Sequence, residues 1–425
     1  MDSRRRRILK NALDARPLLP QADVQEPSSE IAKMDAWKYL IALFSVLLLT
    51  CANSRAETSR KIEIRFCPGS GMRSYPLNAG RELQSVLLQN AAVINHDTTT
   101  FKIENMVIEL LQSDRIIESR NFAREDIQRV GERSAKLQAS GVLQQVGFQF
   151  CGTDLIAPSI KLGTTTLAHN QALLITSQVF AFNGKRDALR VRVRGEADDR
   201  PVEVTGSIPI KSEFAKNTYI FPLRGVWFAG NGASFHTPHR WAIPEEFALD
   251  IAKLGDNGLS HKGGGTKFED YFAYGAEVLA AADGRVISTA NDQPEDQSTM
   301  QRPDETADAY SMRLQKEQGE RLAKGAIGLT GNYVLIDHGK NEYSMYAHLQ
   351  PGSVRVHAGD QVKAGTVIGK LGSSGNSTEP HLHFQVCDKP DPLMCAGVPV
   401  NFRNVTVEWA DAPRPIQSGD VVTAK

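Results

Sequence analysis

Hydrophobic and polar positions alternate along most of the first half of the chain. The alternating runs are rich in β-branched residues and are separated by Gly, Asn and Asp; they are KIEIRFC, FKIENMVIELL, VLQQVGFQFC, QALLITSQVFAF, DALRVRVRGE and VEVTGSIPI. A period of two residues is typical of strands with one buried face. Residues 57–220 are therefore predicted to form an antiparallel β-sandwich-like accessory domain, with one short helix in REDIQRVGERSAKLQ.

The second half, residues 221–410, is also strand-rich but carries a weak internal echo. GAEVLAAADGRVIS and GDQVKAGTVIGKLG each have Val three residues and Ala five residues after the first Gly. This pattern favours paired hairpin units in a small sheet or barrel. Residues 291–326 interrupt it with a Pro- and Asp-rich loop and then helix formers from about Thr306 to Lys324, before Gly325. They are predicted to be a helical, solvent-facing insertion, and residues 411–425 a tail.

The length and charge of the chain narrow the class of protein. A chain of 425 residues is too long for one compact domain and suggests two or three units. Lys+Arg and Asp+Glu both number 49, so the formal net charge is zero. This balance gives no indication of a nucleic-acid partner. The chain is thus predicted to be mostly β, with a β-sandwich-like domain followed by a small β-sheet or barrel domain.

The first 56 residues have the composition of a secretory signal. A basic cluster, MDSRRRRILK, precedes the uncharged run Tyr39–Ala52 of 14 residues, and a bilayer span needs roughly 20. The small-x-small sequence ending at Ala56 predicts cleavage there. Met34 would begin a more conventional signal, so the preceding 33 residues are either an unusual leader or a non-native extension. Export to the periplasm or cell exterior, without a lasting membrane span, is predicted; the alternative is an uncleaved anchor.

The cysteines agree with export. Removing the leader with Cys51 leaves four of the five cysteines, and an even number outside a reducing cytosol suggests two disulfides. Cys387 and Cys395 close the short loop CDKPDPLMC and are predicted to pair. By elimination Cys67 is predicted to pair with Cys151. The alternative is four buried free thiols.

The motif PHLHFQV is the first candidate for chemistry. Successive strand residues point to opposite faces, so His381 and His383 would share one face while Leu382 and Phe384 pack into the other layer. At about 3.4 Å per residue the two imidazoles lie about 7 Å apart, and both can reach one site. That spacing suits one metal ligand beside one group that acts on a bound water. A structural role for the pair is the alternative.

Two further segments strengthen the metal interpretation. FHTPHRWAIPEEFALDI places His239 before Asp250, and EYSMYAHLQPGSV places His348 at the end of an alternating strand. Two imidazoles and one carboxylate suit tetrahedral zinc and leave a fourth position for water. The remaining histidines of this half, apart from His236, are expected to be structural or exposed; they are His261, His338 and His357.

The order of these motifs resembles that of the lysostaphin-type, or LytM-type, zinc endopeptidases of peptidase family M23, which have the duplicated hybrid motif fold. The resemblance covers roughly Trp227 to Val407 and is most specific in GNYVLIDHG, YSMYAHLQPGSV, GDQVKAGTVIGKLGSSGNS and PHLHFQV. It implies zinc ligands and catalytic histidines at these positions: metal His239, Asp250 and His383; catalytic His348 and His381.

One departure from the family pattern concerns the first ligand pair. The family places this histidine and aspartate four positions apart, whereas His239 and Asp250 are eleven apart (250 minus 239). A loop must therefore separate them. His236 is the alternative first ligand.

The resemblance implies a function as well as a fold. The implied protein is an exported zinc metalloendopeptidase that hydrolyses peptide bonds of bacterial cell-wall peptidoglycan, with peptidoglycan peptides as partners. The alternative is a catalytically silent relative that regulates or activates another wall hydrolase. The Gly-Val repeats are also similar to biotinyl and lipoyl carrier domains, but neither AADGR nor KAGTV resembles a carrier lysine motif.

Overall fold

The computed structural model describes residues 62–141, 149–150, 153–234, 239–302 and 304–425. The predicted signal peptide, residues 1–56, lies outside these ranges, as do Cys151 and His236. Within the ranges given, no helix has the length and apolar character needed to cross a membrane.

The N-terminal part of the described chain, residues 62–211, forms two main sheets. One sheet has the order β1-β4-β11-β9 with β3 beside β4, and the other has the order β10-β5-β12-β13-β2 with β6 beside β5. Helix α1 (Arg124–Ala139) follows β6, and β7 pairs with β8. The strands are β1 Ile62–Cys67, β2 Met72–Arg73, β3 Tyr75–Pro76, β4 Leu83–Asn95, β5 Phe101–Gln112, β6 Arg115–Phe122, β7 Gln149–Phe150, β8 Thr153–Asp154, β9 Lys161–Leu162, β10 Thr166–Leu167, β11 Gln171–Asn183, β12 Ala188–Ala197 and β13 Arg200–Lys211.

The two sheets bury a common apolar core. Strand β12 buries every second residue along most of its length, as the alternating pattern predicts. Its inward residues pack with β4 and β11 of the other sheet, in a cluster that includes Val191, Val193, Leu88, Leu173 and Ile175. The prediction of a β-sandwich-like fold, with one helix in REDIQRVGERSAKLQ, is confirmed.

Strand β4 was not predicted from the sequence. Its sequence, LQSVLLQNAAVIN, is buried almost throughout and therefore shows no alternation of apolar and polar residues. Such a run is expected where both faces of a strand are covered. One face packs against the second sheet, and the other packs against the C-terminal part, where Ala92 and Ile94 share a cluster with Ile243 and Ala396.

The C-terminal part, residues 225–425, contains a nine-stranded antiparallel sheet with the order β20-β17-β18-β19-β22-β15-β14-β24-β23. A second, two-stranded sheet consists of β16 and β21. Two helices, α2 (Ala307–Leu322) and α3 (Ala326–Thr330), lie between β17 and β18. The strands are β14 Gly225–Asn231, β15 Leu249–Ala252, β16 Glu277–Leu279, β17 Gly284–Ala290, β18 Asn332–Asp337, β19 Tyr343–Leu349, β20 Gln361–Val362, β21 Val367–Lys370, β22 Leu382–Cys387, β23 Val405–Val407 and β24 Val421–Ala424.

The two echoing segments of the sequence pair with each other. Strand β16 of the first segment pairs with β21 of the second, and β17 pairs with β20. The side chains of the small sheet cover the large one in a single core, which includes Val278, Ile368, Val286, Leu382 and Phe384. The prediction that Leu382 and Phe384 pack away from the histidine face is confirmed.

The insertion contains the predicted helix, but it is not wholly exposed to solvent. Helix α2 begins after Thr306, whose hydroxyl accepts a hydrogen bond from the amide of Ala309. Arg321 of this helix donates a hydrogen bond to the Asn376 side chain, 3.2 Å away. The contact ties the insertion to the loop that precedes β22.

The segment 411–425, predicted to be a tail, contains strand β24. This strand lies between β14 and β23 inside the nine-stranded sheet. The sequence VVTA is short and lacks a polar alternation long enough to indicate a strand, so its pairing partners decide its structure.

The predicted disulfide between Cys387 and Cys395 is present, with the two Cα atoms 5.7 Å apart. Cys67 is disulfide-bonded. Its predicted partner Cys151 lies outside the described residues, so that pairing stays a prediction.

Candidate metal centre and catalytic site

Four neighbouring strands carry the candidate residues in one row across the large sheet. Asp250 on β15 lies directly opposite His383 on β22, and His383 in turn lies opposite Ala347 on β19. His348 follows at the end of β19. On the other side, Asn231 of β14 pairs with Asp250. Side chains that are directly opposite on one face are close neighbours, so the pairing register itself assembles the site.

His239, Asp250 and His383 form a compact group of ligand atoms. Each residue offers one nitrogen or oxygen atom, and these atoms all lie within 4.8 Å of one another. The His239 Nε2 atom is 3.2 Å from Asp250 Oδ2, and the His383 Nδ1 atom is 3.0 Å from Asp250 Oδ1. His239 lies in a short 3₁₀ turn, His239–Trp241, before the loop that leads to β15. Despite their separation of eleven positions in the sequence, the two residues meet.

The hydrogen bonds of Gln385 determine which nitrogen of His383 carries a proton. The Gln385 side-chain amide donates to the carbonyl of Pro392 at 3.3 Å, so its oxygen faces His383 Nε2 at 2.9 Å. Because an oxygen can only accept here, Nε2 must donate. The lone pair of Nδ1 then faces a carboxylate oxygen of Asp250. The Nδ1 atom and the carboxylate oxygen are both hydrogen-bond acceptors 3.0 Å apart, so a cation or a second proton must lie between them. A metal-binding histidine commonly has its other ring nitrogen held by a hydrogen bond, as Gln385 holds Nε2 here.

The electrostatics of Asp250 favour a cation. Burial alone would raise the pKa of Asp250, but the charges and hydrogen bonds of His239 and His381 hold it well below its usual value. Burial lowers the pKa of His239, but the charge and hydrogen bond of Asp250 outweigh this effect and raise it to about 9. The Asn231 amide donates to Asp250 Oδ2 at 2.7 Å and orients the carboxylate. Asp250 is thus an oriented anion surrounded by imidazoles.

His348 is held in a conformation that few residues adopt. Its φ is 63°, in the left-handed region that is uncommon outside glycine and often found at functional sites. Its Nδ1–H donates to the carbonyl of Ser374 at 2.8 Å, which leaves Nε2 as the acceptor. Burial, with the neighbouring His381 and His383, lowers the pKa of His348 well below its ordinary value. The imidazole is therefore neutral at pH 7.

His381 is anchored in the same way. Its Nδ1–H donates to the carbonyl of Glu379 at 2.7 Å, and its Nε2 lies 3.4 Å from Asp250 Oδ1. Burial lowers the pKa of His381, but Asp250 reverses this effect and raises it. The rings of His348 and His381 have centroids 4.8 Å apart. Two oriented imidazoles therefore lie beside the three ligand residues.

Comparison with known proteins identifies the domain. Residues 317–395 match the model of "Peptidase family M23". The chain contains an M23 peptidase domain of the LytM type. The matched residues include His348, His381 and His383, whereas His239 and Asp250 lie upstream of them.

The relatives of the M23 domain match only short stretches. "Peptidoglycan DD-endopeptidase ShyC" of Vibrio cholerae is 46% identical over 82 residues, which are 19% of this chain and 17% of that protein. "DD-carboxypeptidase/endopeptidase Mpg" of Neisseria meningitidis is 45% identical over 70 residues, 16% of each chain. The catalytic domain of lysostaphin from Staphylococcus simulans has a TM-score of 0.21 at 16% identity, covering 44% of this chain and 95% of that domain. The chain thus spans less than a fifth of these curated relatives, and the assignment rests on the sequence matches.

A cleft of about 370 Å³ opens over the histidines of the M23 domain. The five candidate residues line its floor. Its walls come from three places: Leu314 and Gln318 of α2, Leu329 and Thr330 at α3, and Pro392 and Leu393 of the disulfide loop. The insertion therefore forms one wall of the candidate site.

The sequence predicts the main residues of the site but not their hydrogen-bond partners. The structure brings together His239, Asp250, His348, His381 and His383. The other described histidines of the M23 domain lie elsewhere: His338 hydrogen bonds to Ser344 and to the Asp283 carbonyl, His357 is exposed, and His261 packs against Tyr271. Gln385 and Asn231 were missed. The two-residue period that links His381 to His383 continues to Gln385 and could have indicated it.

Proposed function

We propose that this protein is a zinc-dependent endopeptidase that cleaves peptides of bacterial cell-wall peptidoglycan after export. The observation that carries the proposal is the grouping of His239, Asp250 and His383, whose ligand atoms all lie within 4.8 Å of one another, with His383 Nδ1 3.0 Å from Asp250 Oδ1. This arrangement fits a divalent cation with two nitrogen ligands and one oxygen ligand, the donor set typical of catalytic zinc.

In this proposal, zinc is held by His239, Asp250 and His383. When bound, it lowers the pKa of a water molecule and polarises the scissile carbonyl. His348 and His381 do the proton chemistry at their Nε2 atoms, since their Nδ1 atoms donate to backbone carbonyls. One accepts a proton and the other donates one or stabilises developing negative charge. The anchoring keeps both rings in place through the reaction.

The substrate class is supported by the names of the relatives and by the shape of the cleft. Two relatives are described as a peptidoglycan DD-endopeptidase and a DD-carboxypeptidase/endopeptidase. The cleft is lined by apolar residues such as Leu314 and Leu393 together with the polar candidate residues, a mixture that suits a peptide. The predicted leader and the disulfide between Cys387 and Cys395 agree with work outside the cytosol.

Digestion of purified sacculi tests this proposal. Mature protein, residues 57–425, is expected to release peptide-linked fragments that mass analysis assigns to one scissile bond. A chelator is expected to stop the release and added zinc to restore it, while an unrelated denatured protein substrate stays intact. A protein that binds no zinc and releases nothing would favour the silent regulator instead.

Gln385 offers a test of the ligand arrangement. Gln385→Ala is expected to lower zinc affinity by about 10–100-fold, because His383 loses the acceptor that holds its Nδ1 lone pair toward the metal. Zinc titration with a competing chelator measures the change. Gln361→Ala, which removes an exposed glutamine on strand β20 of the same domain, is the control. Equal zinc affinities for the two variants would contradict the role given to Gln385.

A further inference from the structure

Strand β4 of the N-terminal part contacts the loop that follows the first candidate ligand. This loop, residues 240–248, separates His239 from Asp250 and is the feature that sets the spacing of these two residues. Its first residue, Arg240, is an arginine with 0% of its surface exposed. A charged side chain is rarely buried so completely without partners of its own.

Arg240 is held by residues from both parts of the chain. Its guanidinium forms an ion pair with Glu246 of the same loop at 2.8 Å. A second guanidinium nitrogen donates to the Ser85 hydroxyl of β4 at 3.2 Å, and the Gln89 side-chain amide of β4 donates to the Arg240 carbonyl at 3.0 Å. Ser85 and Gln89 are themselves 1% and 2% exposed.

The rest of this loop packs against the N-terminal part through apolar and aromatic contacts. Ile243 packs with Ala92 and Ile94 of β4. The Phe247 ring stacks on Tyr75 with centroids 5.6 Å apart, and its other neighbours include Arg240, whose guanidinium carbon is 5.1 Å from the ring centroid. The loop is thus fixed along its length by the N-terminal sheet rather than by the M23 domain alone.

The orientation of the His239 ring depends on this loop more than the orientations of the other site histidines depend on their own backbone segments. His348, His381 and His383 each have one ring nitrogen held by a hydrogen bond. The buried Nδ1 atom of His239 has no such partner among the described residues. Apart from the contact of its Nε2 atom with Asp250, the ring is therefore oriented by its backbone, and the next residue along that backbone is Arg240.

We propose that strand β4 positions the metal site: Gln89 and Ser85 fix Arg240, and Arg240 fixes the ligand His239. The N-terminal part is then a structural component of the metal centre and not only a separate binding module. The inference rests on the proposed metal site but not on the proposed substrate. Gln89 is a positioning residue, since it touches neither metal nor substrate.

Zinc affinity of Gln89→Ala tests this inference. In the mature protein, residues 57–425, the variant is expected to bind zinc about tenfold more weakly, at the low end of the effect of losing a partner of a metal ligand. The visible spectrum of the cobalt-substituted protein is expected to shift, because the geometry at His239 changes. Excess zinc is expected to restore peptidase activity, since His348 and His381 make no contact with Gln89.

Asn95→Ala is the matched control. Asn95 lies on the same strand, is also a buried amide, and donates to the carbonyls of Thr99 at 2.8 Å and Leu167 at 2.9 Å within the N-terminal part. It is expected to lower the melting temperature and leave zinc affinity and the cobalt spectrum unchanged. Should Gln89→Ala fail to fold, Ser85→Ala is expected to give a smaller loss of affinity in the same direction.

Three results would overturn the inference, and they do not have the same meaning. Unchanged zinc affinity in Gln89→Ala, or an equal loss in Asn95→Ala, would remove the positioning role while leaving the metal site intact. A parent protein that binds no zinc would remove the metal site and this inference with it. Failure to cleave sacculi, with zinc binding retained, would overturn only the proposed substrate.

Discussion

A His383→Ala protein is expected to lose zinc and peptidase activity together. His383 supplies the nitrogen that faces Asp250 at 3.0 Å, and alanine supplies no ligand atom in its place. Losing even an outer partner of a metal ligand costs about 10–100-fold in affinity, so losing the ligand is expected to cost more than about 100-fold. Metal content after dialysis and fragment release from sacculi measure the two losses.

The control for this variant is His357→Ala. The His357 side chain is 87% exposed and belongs to the same domain, so its removal deletes an imidazole without touching the site. Because His383 is buried, circular dichroism must show that the variant is folded. Asp250→Asn, which keeps the shape of the side chain and removes its charge, is expected to give the same result. Zinc bound in full by His383→Ala would refute the proposed ligand set.

A His348→Ala protein is expected to keep zinc and lose turnover. His348 is not among the three residues whose ligand atoms cluster, but its ring centroid is 4.8 Å from that of His381 and 5.9 Å from that of His383. A positioned proton-transfer group contributes about 10²–10⁴-fold to the rate, so kcat is expected to fall by that factor while KM changes little. Steady-state kinetics on a defined cross-linked peptide measure both constants.

Metal content distinguishes the loss of activity expected for His348→Ala from that expected for His383→Ala. We expect one zinc per chain in His348→Ala and in His357→Ala, with activity lost only in the former. Normal cleavage by His348→Ala would exclude it from the reaction. A variant that loses zinc as well would place His348 among the ligands instead.

The sequence predicts those parts of the site that depend on local pattern. The alternation in PHLHFQV places His381 and His383 on one side and Leu382 and Phe384 in the core, although strand β22 begins only at Leu382. The Gly, Val and Ala positions shared by the two echoing segments predict paired hairpin units, and in the structure β16 pairs with β21 and β17 with β20. Short-range patterns of this kind predict the folded structure because the position of a residue within its strand decides the face on which its side chain lies.

Other parts of the fold depend on partners that are distant in the sequence. Strand β4 carries no alternation because both of its faces are covered, one of them by the loop after His239. His239 contacts Asp250 across ten intervening residues because the loop between them packs on β4. No short-range sequence pattern predicts that packing. Asn231 likewise reaches Asp250 only because β14 and β15 pair with a bulge.

The place of strand β24 has a consequence for how the protein is made. Residues 421–424 are synthesised after all the other strands and helices described above, yet they lie between β14 and β23 in the large sheet. Strand β14, which carries Asn231 and pairs with the strand of Asp250, lacks its neighbour on that side until these residues are available. Contacts across nearly the whole of a domain form slowly. The strands that carry Asp250 and Asn231 are therefore expected to reach their final pairing late in folding.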